Sequence, residues 1–422
     1  MSRIAVIGTG YVGLTTGACL AHIGHEVICA DIDVEKVEAL SRGHIPIVEA
    51  GLDKIVAEGL QSGRLRFVVG AANAVSDCEF AYLCVPTPES ADGAADLSYI
   101  EAVVSEIADL LPAEAIVVNK STVPVGSTKV VERVLGRPDI KVVSNPEFLR
   151  EGSAVHDFLH PDRIVVGSED HAAAARVTSL FVGISAPVLV TDPASAETIK
   201  YAANAFLATK VSFVNAVAAV CEAVGADVHD VVLGMGYDKR IGQEFLRPGP
   251  GWGGSCLQKD TRALVRIAED AGYDFDLLRG VIAVNERQLS RVVRKIETAV
   301  GGSLIDKTVA VWGLTFKART DDLRESPALA IVRRLAVKGA VVRAFDPTVR
   351  VPLDDMTVHD DPYAACEGAD VLAVLTEWDD FRWVDFEKVA GVMPGRAVVD
   401  ARNLLDRSML QRSGFTYQGI GR

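Results

Sequence analysis

Cys256 is the side chain of this 422-residue sequence with the clearest capacity for covalent chemistry. It lies in the run Gly253-Gly254-Ser255-Cys256-Leu257-Gln258. A serine followed three residues later by a glutamine has the form of a capping box, so we expect a helix here with Cys256 as its first residue. A helix N-terminus favours the thiolate, which is the nucleophilic form of cysteine.

Two charged residues directly after this run strengthen that interpretation. Lys259 adds positive charge near the thiol, and Asp260 lies four residues from Cys256, on the same helix face. Without these neighbours, a small buried cysteine beside a glycine turn is the simpler interpretation, because cysteine is among the most buried residue types. We therefore predict that Cys256 is a catalytic nucleophile.

Other polar residues could act on a substrate oxygen. Lys200 and Asn204 are four residues apart in a helical segment, so an amine and a carboxamide would share one face; a surface polar pair is the alternative. Residues 145–152 resemble a short helix with an asparagine cap and a glycine stop. Within it, Glu147 and Glu151 would share a face, where one of them acts as a general acid or base or both complement the helix dipole.

The N-terminus carries a dinucleotide-binding fingerprint, Gly8-Thr9-Gly10-Tyr11-Val12-Gly13. It follows an apolar strand and opens a helix, with glycines for a tight turn, for approach to a pyrophosphate and for close helix packing. Asp31 ends the next strand, where an acid accepts from ribose hydroxyls and repels a 2'-phosphate, so we expect NAD rather than NADP. Lys36 could reach the same region or simply be solvated. Further candidate cofactor residues follow later strands at Val85, Pro86, Thr87, Ser121 and Thr122.

Several other segments are predicted to be loops near a ligand. The run Arg247-Pro248-Gly249-Pro250-Gly251-Trp252-Gly253-Gly254 cannot be regular structure, and its backbone amides could approach a ligand. Phe316, Lys317 and Arg324 follow a later strand, where a phosphate-binding loop would lie. His156 and His160 are four residues apart, but Pro161 follows and no third ligand is evident, so we expect no metal.

The composition limits the class of partner. The net charge of -14 argues against nucleic acid or an anionic membrane. Seven cysteines with no CxxC predict a reduced, cytoplasmic protein, and we expect neither a signal peptide nor a membrane span.

The chain divides into three parts, and their helices and strands must position the candidate catalytic and ligand-binding residues. Residues 1–193 alternate apolar strands, at 4–7, 26–31, 80–85, 115–118 and 142–143, with helical stretches, which predicts a parallel sheet covered on both faces. A helix of about 30 residues spans 194–224 and opens a helical domain at 194–300. Residues 301–422 return to alternation, and 338–346 resemble 23–31. We expect an α/β protein with two Rossmann-like doubly wound parallel-sheet domains, joined by the long helix and leaving a ligand cleft.

The long helix also predicts an assembly. It is rich in alanine and valine, including Val214, Val217, Ala218 and Val224. We expect a homodimer to which this helix contributes.

These motifs together resemble the UDP-glucose/GDP-mannose dehydrogenase family over essentially the whole chain. The runs that carry the resemblance are Ile7-Gly8-Thr9-Gly10-Tyr11-Val12-Gly13-Leu14, Asn145-Pro146-Glu147-Phe148-Leu149-Arg150-Glu151-Gly152, Gly253-Gly254-Ser255-Cys256 with Lys259-Asp260, and Gly313-Leu314-Thr315-Phe316-Lys317. The resemblance implies oxidation of a nucleotide-sugar alcohol, foremost UDP-glucose, to the acid with two NAD through a Cys256 thiohemiacetal and thioester.

The resemblance also implies roles for individual residues. Lys200 and Asn204 would hold the substrate oxygen, Asp260 and Glu147 would transfer protons and activate water, and Thr122 would position the water. It implies NAD contacts from Val12, Asp31, Lys36, Thr87, Thr122, Glu151, Lys259 and Arg324. It implies nucleotide-sugar contacts from Glu147, Phe148, Leu149, Arg150, Glu151, Arg240, Phe245, Leu246, Arg247, Pro248, Gly249, Gly253, Phe316, Lys317 and Arg402. In this family the residue at the position of Arg240 can come from the partner subunit.

Other substrates and other classes of protein also fit parts of this sequence. Leu257-Gln258 stands where many bacterial relatives have Phe-Pro, and Trp252 stands where Phe or Tyr is usual, so a UDP-N-acetyl-hexosamine or GDP-mannose remains an alternative substrate. A two-electron β-hydroxyacid dehydrogenase shares the N-terminal fold but needs no Cys256, and an NAD-binding sensor would not require Cys256, Lys200 and Asp260 together. The number of NADH formed per sugar separates these classes: two, one or none.

Overall fold

A computed structural model describes residues 1–88 and 95–422. The described chain forms two compact units, Met1–Ala203 and Asn204–Arg422. Each unit is built around one sheet with helices on its faces.

The first unit contains an eight-stranded sheet in the order β3-β2-β1-β4-β5-β6-β7-β8. The first six strands follow the 3-2-1-4-5-6 order of a dinucleotide-binding fold and are parallel, whereas β7 pairs antiparallel with β6. Strands β4 and β5 are buried along their whole length, as expected for strands covered on both faces. The strands are β1 Arg3–Ile7, β2 Glu26–Asp31, β3 Leu65–Val69, β4 Phe80–Leu83, β5 Ile116–Asn119, β6 Lys141–Ser144, β7 Ile164–Gly167 and β8 Val188–Thr191.

The helices of this unit pack on the sheet, and α1 is buried along most of its length. Aspartate side chains mark two helix starts: Asp33 accepts from the amide of Lys36, and Asp170 accepts from the amide of Ala173. The helices are α1 Tyr11–His22, α2 Val34–Ser41, α3 Leu52–Gln61, α4 Ala72–Val75, α5 Ser98–Ile107, α6 Ser127–Leu135, α7 Ala154–Leu159 and α8 His171–Ser179.

The predicted long helix is present as α9, Pro193–Val224, with 32 residues. The boundary between the two units falls within it, between Ala203 and Asn204. Among the described residues, α9 is the one helix that is long and apolar enough to cross a membrane. This criterion uses length and composition only, so a single such helix is weak evidence of a membrane span.

The second unit contains a six-stranded, all-parallel sheet in the order β11-β10-β9-β12-β13-β14, which repeats the strand order of the first sheet. Two Rossmann-like sheets and a long helix were predicted, and this fold class is confirmed. The strands are β9 Thr308–Trp312, β10 Val341–Phe345, β11 Thr357–Val358, β12 Val371–Val374, β13 Ala397–Asp400 and β14 Thr416–Gln418. The helices are α10 Val228–Gly236, α11 Leu257–Asp270, α12 Asp276–Ala299, α13 Pro327–Val337, α14 Pro362–Cys366, α15 Phe386–Val392 and α16 Arg407–Arg412.

One predicted helix is wrong. Residues 145–150 have no regular structure, and a turn with Gly152 at φ 81° follows. Side chains provide the bonds that a helix would have made: the Asn145 amide donates to the Val165 carbonyl, and the Glu147 carboxylate accepts from the Leu149 amide. The segment is therefore an irregular loop, called the Glu147 loop below (residues 145–152).

Candidate active site

The fingerprint turn has the geometry that a dinucleotide needs. Gly8 has φ 95°, and a Cβ there would lie 2.7 Å from the carbonyl oxygen of Cys84. A Cβ on Gly13 would collide with the backbone of Gly8, so a side chain at Gly13 would force the helix away from the turn, and one at Gly8 would force the turn away from the backbone of Cys84. Gly10 caps α1 without a side-chain hydrogen bond, which leaves the first amides of the helix available to a phosphate. The turn thus fits a pyrophosphate.

Asp31 lies at the end of β2, beside this turn. Its Oδ2 accepts hydrogen bonds from the Thr9 amide at 2.9 Å, from the Thr9 hydroxyl at 2.6 Å and from the Lys36 ammonium at 3.0 Å. Burial opposes the charge, but these hydrogen bonds outweigh it and lower the pKa of Asp31 to about 2. Asp31 is therefore an anion at any working pH, as a ribose-binding acid that repels a 2'-phosphate must be.

The two later loops predicted to contact the cofactor are joined to each other. The Thr87 hydroxyl donates to the Thr122 carbonyl at 2.7 Å, and the Ser121 hydroxyl donates to the Val85 carbonyl at 2.7 Å. Both loops follow neighbouring parallel strands, β4 and β5, so they lie at the carboxyl edge where this fold binds ligands. Pro86, in the loop that follows β4, is exposed.

The Glu147 loop carries a buried ion pair. Lys200 Nζ donates to Glu147 Oε1 at 2.8 Å, and both side chains are about 5% exposed. Burial opposes the charge on Glu147, but the Lys200 ammonium, the Leu149 amide and the positive charge of Lys120 together hold the pKa of Glu147 below its ordinary value. Glu147 is thus ionised near neutral pH and can act as a base.

Lys120 belongs to this cluster but was not predicted. Its Nζ donates to Asn145 Oδ1 at 3.1 Å, and burial, opposed in part by Glu147, lowers the pKa of Lys120 to about 8. The only sequence signal was its place directly before Ser121, at the end of a buried strand. The cluster therefore contains two cations and one anion.

The remaining residues of the Glu147 loop have partners of different kinds. Arg150 donates both to Asp157 Oδ1 at 2.6 Å and to Asp157 Oδ2 at 3.0 Å, which fixes its guanidinium. Phe148 lies under the guanidinium of Arg163, whose Cζ is 3.7 Å from the ring centroid. Leu149 and Glu151 are half-buried.

In the second unit, Cys256 is exposed, whereas the other six cysteines are buried. It occupies the N-cap position of α11, and its carbonyl accepts from the Asp260 amide at 2.9 Å. The predicted capping box is wrong, because the helix starts one residue later than predicted and Ser255 precedes the cap; the Ser255 hydroxyl lies 3.8 Å from the Cys256 sulfur instead. The thiol still lies at a helix N-terminus, as the prediction required.

Asp260 is fully buried one turn after the thiol. Its carboxylate accepts from Asn204 Nδ2 at 2.6 Å and from Lys259 Nζ at 2.7 Å. Lys259 was predicted to support the thiolate, and its ammonium is an ion-pair partner of this neighbouring carboxylate. Asn204, Asp260 and Lys259 thus form one hydrogen-bonded group in the second unit.

The glycine-rich segment before Cys256 is irregular, as predicted, and closely packed. A Cβ on Gly253 would collide with the Glu325 carbonyl, and a Cβ on Gly254 would lie 2.8 Å from the Phe316 ring. The Gly249 amide donates to Asn215 Oδ1 at 2.8 Å, so this amide has an internal partner and does not point freely to a ligand. Small residues are required here by packing against the loop that follows β9.

A cavity of about 620 Å³ in the second unit is lined by several predicted nucleotide-sugar residues. Arg402 is fixed at its wall by bonds from Nε to the Leu375 carbonyl at 2.8 Å and from Nη2 to the Phe316 carbonyl at 3.2 Å. Other arginine and histidine side chains at this cavity were not predicted, since they are scattered through the sequence. The lining includes the predicted Leu246, Arg247, Pro248 and Arg402 and the unpredicted His229, Arg319, Arg382 and Arg422.

Several predicted residues lie in other environments. Arg240 is exposed and pairs with Asp238 at 2.6 Å, and Arg324 likewise pairs with Asp322 at 2.7 Å. Phe245 adopts φ 61°, an unusual conformation for a side chain of its size, and Lys317 Nζ lies 5.4 Å from the Phe316 ring centroid. His156 and His160 have ring centroids 5.0 Å apart, and within residues 1–88 and 95–422 no group of three or more metal-ligand side chains is placed to hold a metal ion.

The fold and the two groups of residues define a dehydrogenase of Rossmann type. Comparison with known proteins identifies the family: the chain belongs to the UDP-glucose/GDP-mannose dehydrogenase family. The family's NAD binding domain matches residues 2–185, its central domain matches residues 194–287, and its UDP binding domain matches residues 310–407. The predictions of this family, of an NAD cofactor and of a nucleotide-sugar dehydrogenase are confirmed, as is binding of a UDP-sugar.

Individual relatives match over the full chain. A UDP-glucose 6-dehydrogenase of Bacillus subtilis is 45% identical over 433 residues, covering 100% of this chain and 94% of its own length. A UDP-glucose 6-dehydrogenase of Pseudomonas aeruginosa is 45% identical over 441 residues, covering 100% and 97%. The solved UDP-glucose dehydrogenase of Pyrobaculum islandicum superposes with a TM-score of 0.91 at 36% identity, covering 100% and 98%. The roles of individual site residues stay predictions.

Proposed function

We propose that this protein is a UDP-glucose 6-dehydrogenase that oxidises UDP-glucose to UDP-glucuronate with two NAD. The support is the 45% identity, over the whole chain, to relatives of that name, together with the UDP binding domain match. The structural observation that carries the proposal is the exposed Cys256 at a helix start, one turn before the buried Asp260. A two-electron alcohol dehydrogenase has no need of such a thiol.

We further assign three functional domains. Residues 1–193 bind NAD, residues 194–300 form a central helical domain for dimerisation, and residues 301–422 bind the UDP-sugar. NAD, when bound, accepts a hydride in each of two oxidations. Residues of the fingerprint turn, Asp31 and the paired loops at Thr87 and Thr122 would bind it.

The chain's own residues divide the chemistry between them. Lys200 and Asn204 polarise the oxygen on the reacting carbon. The hydroxyl loses its proton and the carbon loses a hydride, which gives an aldehyde. The Cys256 thiolate then forms a bond to the aldehyde carbon, and loss of a second hydride converts this thiohemiacetal into a thioester.

Hydrolysis completes the reaction. Water adds to the thioester carbon, the carbon–sulfur bond breaks, and the thiolate leaves with the carboxylate as product. Glu147 and Asp260 carry out the proton transfers, and Thr122 helps to position the water. Ionised Glu147 suits the role of base, because Lys200 and Lys120 keep its proton off at neutral pH.

A count of NADH tests this proposal. The purified protein is supplied with NAD and, separately, UDP-glucose, UDP-N-acetyl-glucosamine, UDP-N-acetyl-mannosamine and GDP-mannose. We expect two NADH per UDP-glucose and a far smaller kcat/KM for the others. One NADH per sugar would overturn the four-electron reaction, whereas two NADH from another sugar would keep the chemistry and overturn the substrate.

A different nucleotide sugar is the second candidate. The solved UDP-D-ManNAc dehydrogenase of Pyrococcus horikoshii superposes with a TM-score of 0.90 at 29% identity over 100% of this chain. Leu257 and Gln258 directly follow Cys256, whereas the family resemblance implies Phe-Pro at these positions in many bacterial relatives. The same panel of sugars distinguishes this candidate.

We also propose a cytoplasmic homodimer that binds neither nucleic acid nor membrane, in keeping with the net charge of -14. Phe206 and Phe213 on α9 are 64% and 54% exposed, and Val220 continues their seven-residue spacing as one apolar stripe. Val214 and Ala218, two of the residues that make this helix rich in alanine and valine, are fully buried within the chain. The face that a second copy would cover is therefore the phenylalanine stripe (Phe206, Phe213 and Val220).

A further inference from the structure

Glu49 is a buried carboxylate that lies outside the residues assigned so far. It is 8% exposed and lies between α2 and α3. Its Oε2 accepts from the Tyr11 hydroxyl and, at 2.8 Å, from the Gly152 amide. Its Oε1 accepts a longer bond, 3.5 Å, from the Val155 amide. Three segments that are far apart in the sequence therefore meet at one carboxylate.

Among the described residues, the Glu49 carboxylate has hydrogen-bond donors but no cationic partner, so the contact between these three segments is sensitive to the loss of one hydrogen-bond donor. In the described part of the chain, no lysine, arginine or histidine forms an ion pair with Glu49. The bonds that its carboxylate oxygens accept in this part of the chain come from the Tyr11 hydroxyl and from the Gly152 and Val155 amides, so Tyr11 provides the side-chain donor. Burial and, next, the neighbouring Glu49 raise the pKa of Tyr11, so its hydroxyl keeps the proton that it donates.

Tyr11 and Gly152 lie at the two segments of the first unit that are predicted to contact ligands, the cofactor-binding turn and the Glu147 loop. Tyr11 is the first residue of α1, directly after Gly10, in the turn that fits a pyrophosphate. Gly152 ends the Glu147 loop, and its amide also donates to the Tyr11 hydroxyl at 2.8 Å. The cofactor-binding turn is thereby joined to the backbone beside Glu151.

We propose that Glu49 and Tyr11 are positioning residues that join the cofactor-binding turn to the Glu147 loop, so that binding of NAD and of the nucleotide sugar is cooperative. The Tyr11–Glu49 pair orders the backbone of residues 150–152 when the cofactor fixes the turn. The second ligand in this statement rests on the proposed function, whereas the link itself concerns only the first unit.

The first test requires only the cofactor. Hydrogen exchange is measured for the Gly152 and Val155 amides of the wild-type protein with and without NADH. We expect NADH to slow both exchange rates in the wild type about tenfold, and to slow them much less in Tyr11→Phe and Glu49→Gln. An equal slowing in the wild type and both variants would overturn the proposal, whatever sugar the enzyme oxidises.

The second test measures cooperativity. The dissociation constant of NADH is determined with and without UDP-glucuronate, the proposed product, so that no turnover occurs. We expect the ratio of the two constants to fall about tenfold in each single variant and no further in the double variant, because both substitutions break one link. An unchanged ratio in the single variants, or independent effects that add in the double variant, would contradict the link.

Two controls separate positioning from general stability. Asp170→Ala removes a capping carboxylate of the same unit that accepts from the Ala173 amide and contacts neither loop. It should change the melting temperature without changing the NADH response. Failure of the proposed substrate is recognised separately, since the wild type would then form no NADH with UDP-glucose.

Discussion

Lys200 Nζ lies 2.8 Å from Glu147 Oε1, and the two side chains are buried together with the second lysine, Lys120. The cluster holds two positive charges and one negative charge, so the order of destabilisation by single substitutions follows from charge balance. Removing Glu147 leaves two buried cations, whereas removing Lys200 leaves one cation and one anion.

We therefore expect Glu147→Gln to destabilise the protein by about 3–5 kcal/mol and Lys200→Met to cost less. The double variant should be more stable than Glu147→Gln, because it contains one buried cation fewer. Urea denaturation measures the free energy of unfolding of the two single variants and of the double variant, with loss of the sheet of the first unit as the signal. A larger loss in Lys200→Met than in Glu147→Gln would contradict the charge argument.

Lys120 makes the stability of the protein depend on pH in a defined direction. Its pKa is about 8 in the folded chain, against about 10.4 in an unfolded one, so the unfolded state binds more protons between these values. The contribution of Lys120 is thus unfavourable below pH 8 and is relieved as the pH rises to about 10.4. Lys120→Met should remove this rise, which is on the order of 3 kcal/mol.

The measurement is the difference in unfolding free energy between wild type and Lys120→Met at pH 7 and at pH 10. Lys141→Met, at an exposed site on β6, serves as the control. A difference between wild type and Lys120→Met that stays constant over this range would show that Lys120 does not titrate there.

Asp31 should determine the choice of cofactor. It is ionised at any working pH and would repel a 2'-phosphate, so we expect a strong preference for NAD over NADP. Asp31→Ala removes this charge and frees Lys36 from its 3.0 Å ion pair. We expect the ratio of kcat/KM with NAD to kcat/KM with NADP to fall about tenfold or more. Equal kcat/KM values with NAD and NADP in the wild type would contradict this interpretation.

Cys256→Ser should bind NADH and UDP-glucose but lose overall turnover on the order of a thousandfold or more, because serine is a poor nucleophile and leaving group. Bound aldehyde or its adduct is the intermediate expected to accumulate, without acid product. Asp260→Asn should impair a different stage, the proton transfers around the adduct or its hydrolysis. Near-normal formation of the sugar acid by Cys256→Ser would favour a hydrated-aldehyde route instead.

The phenylalanine stripe on α9 should hold two copies together. We expect Phe213→Glu to raise the dimer dissociation constant about 30-fold or more, because it places a charge at the centre of an apolar surface. Val337→Glu, at a site 88% exposed on α13, is the matched control and should leave assembly unchanged. Light scattering across a concentration series measures both, and a wild type that is monomeric at micromolar concentration would contradict the dimer.

Local sequence determined much of this protein. Apolar strands followed by glycines predicted the fingerprint turn, since only glycine tolerates the contacts at Gly8 and Gly13. An uninterrupted run without proline or glycine predicted α9 to within one residue at its start. These features depend on neighbours in the chain, so their physical causes are visible in the sequence. The strands β3, β7 and β8 of the first unit were not among the predicted strands.

Tertiary structure decided the rest. The Glu147 loop has the cap and stop residues of a helix, yet Asn145 bonds with Lys120 and Val165 and the helix does not form. Glu49 gains its place only because residues 38 and 103 positions away in the sequence bring donors to it. Buried polar groups must find hydrogen-bond partners, and those partners come from distant segments that only the folded chain brings together.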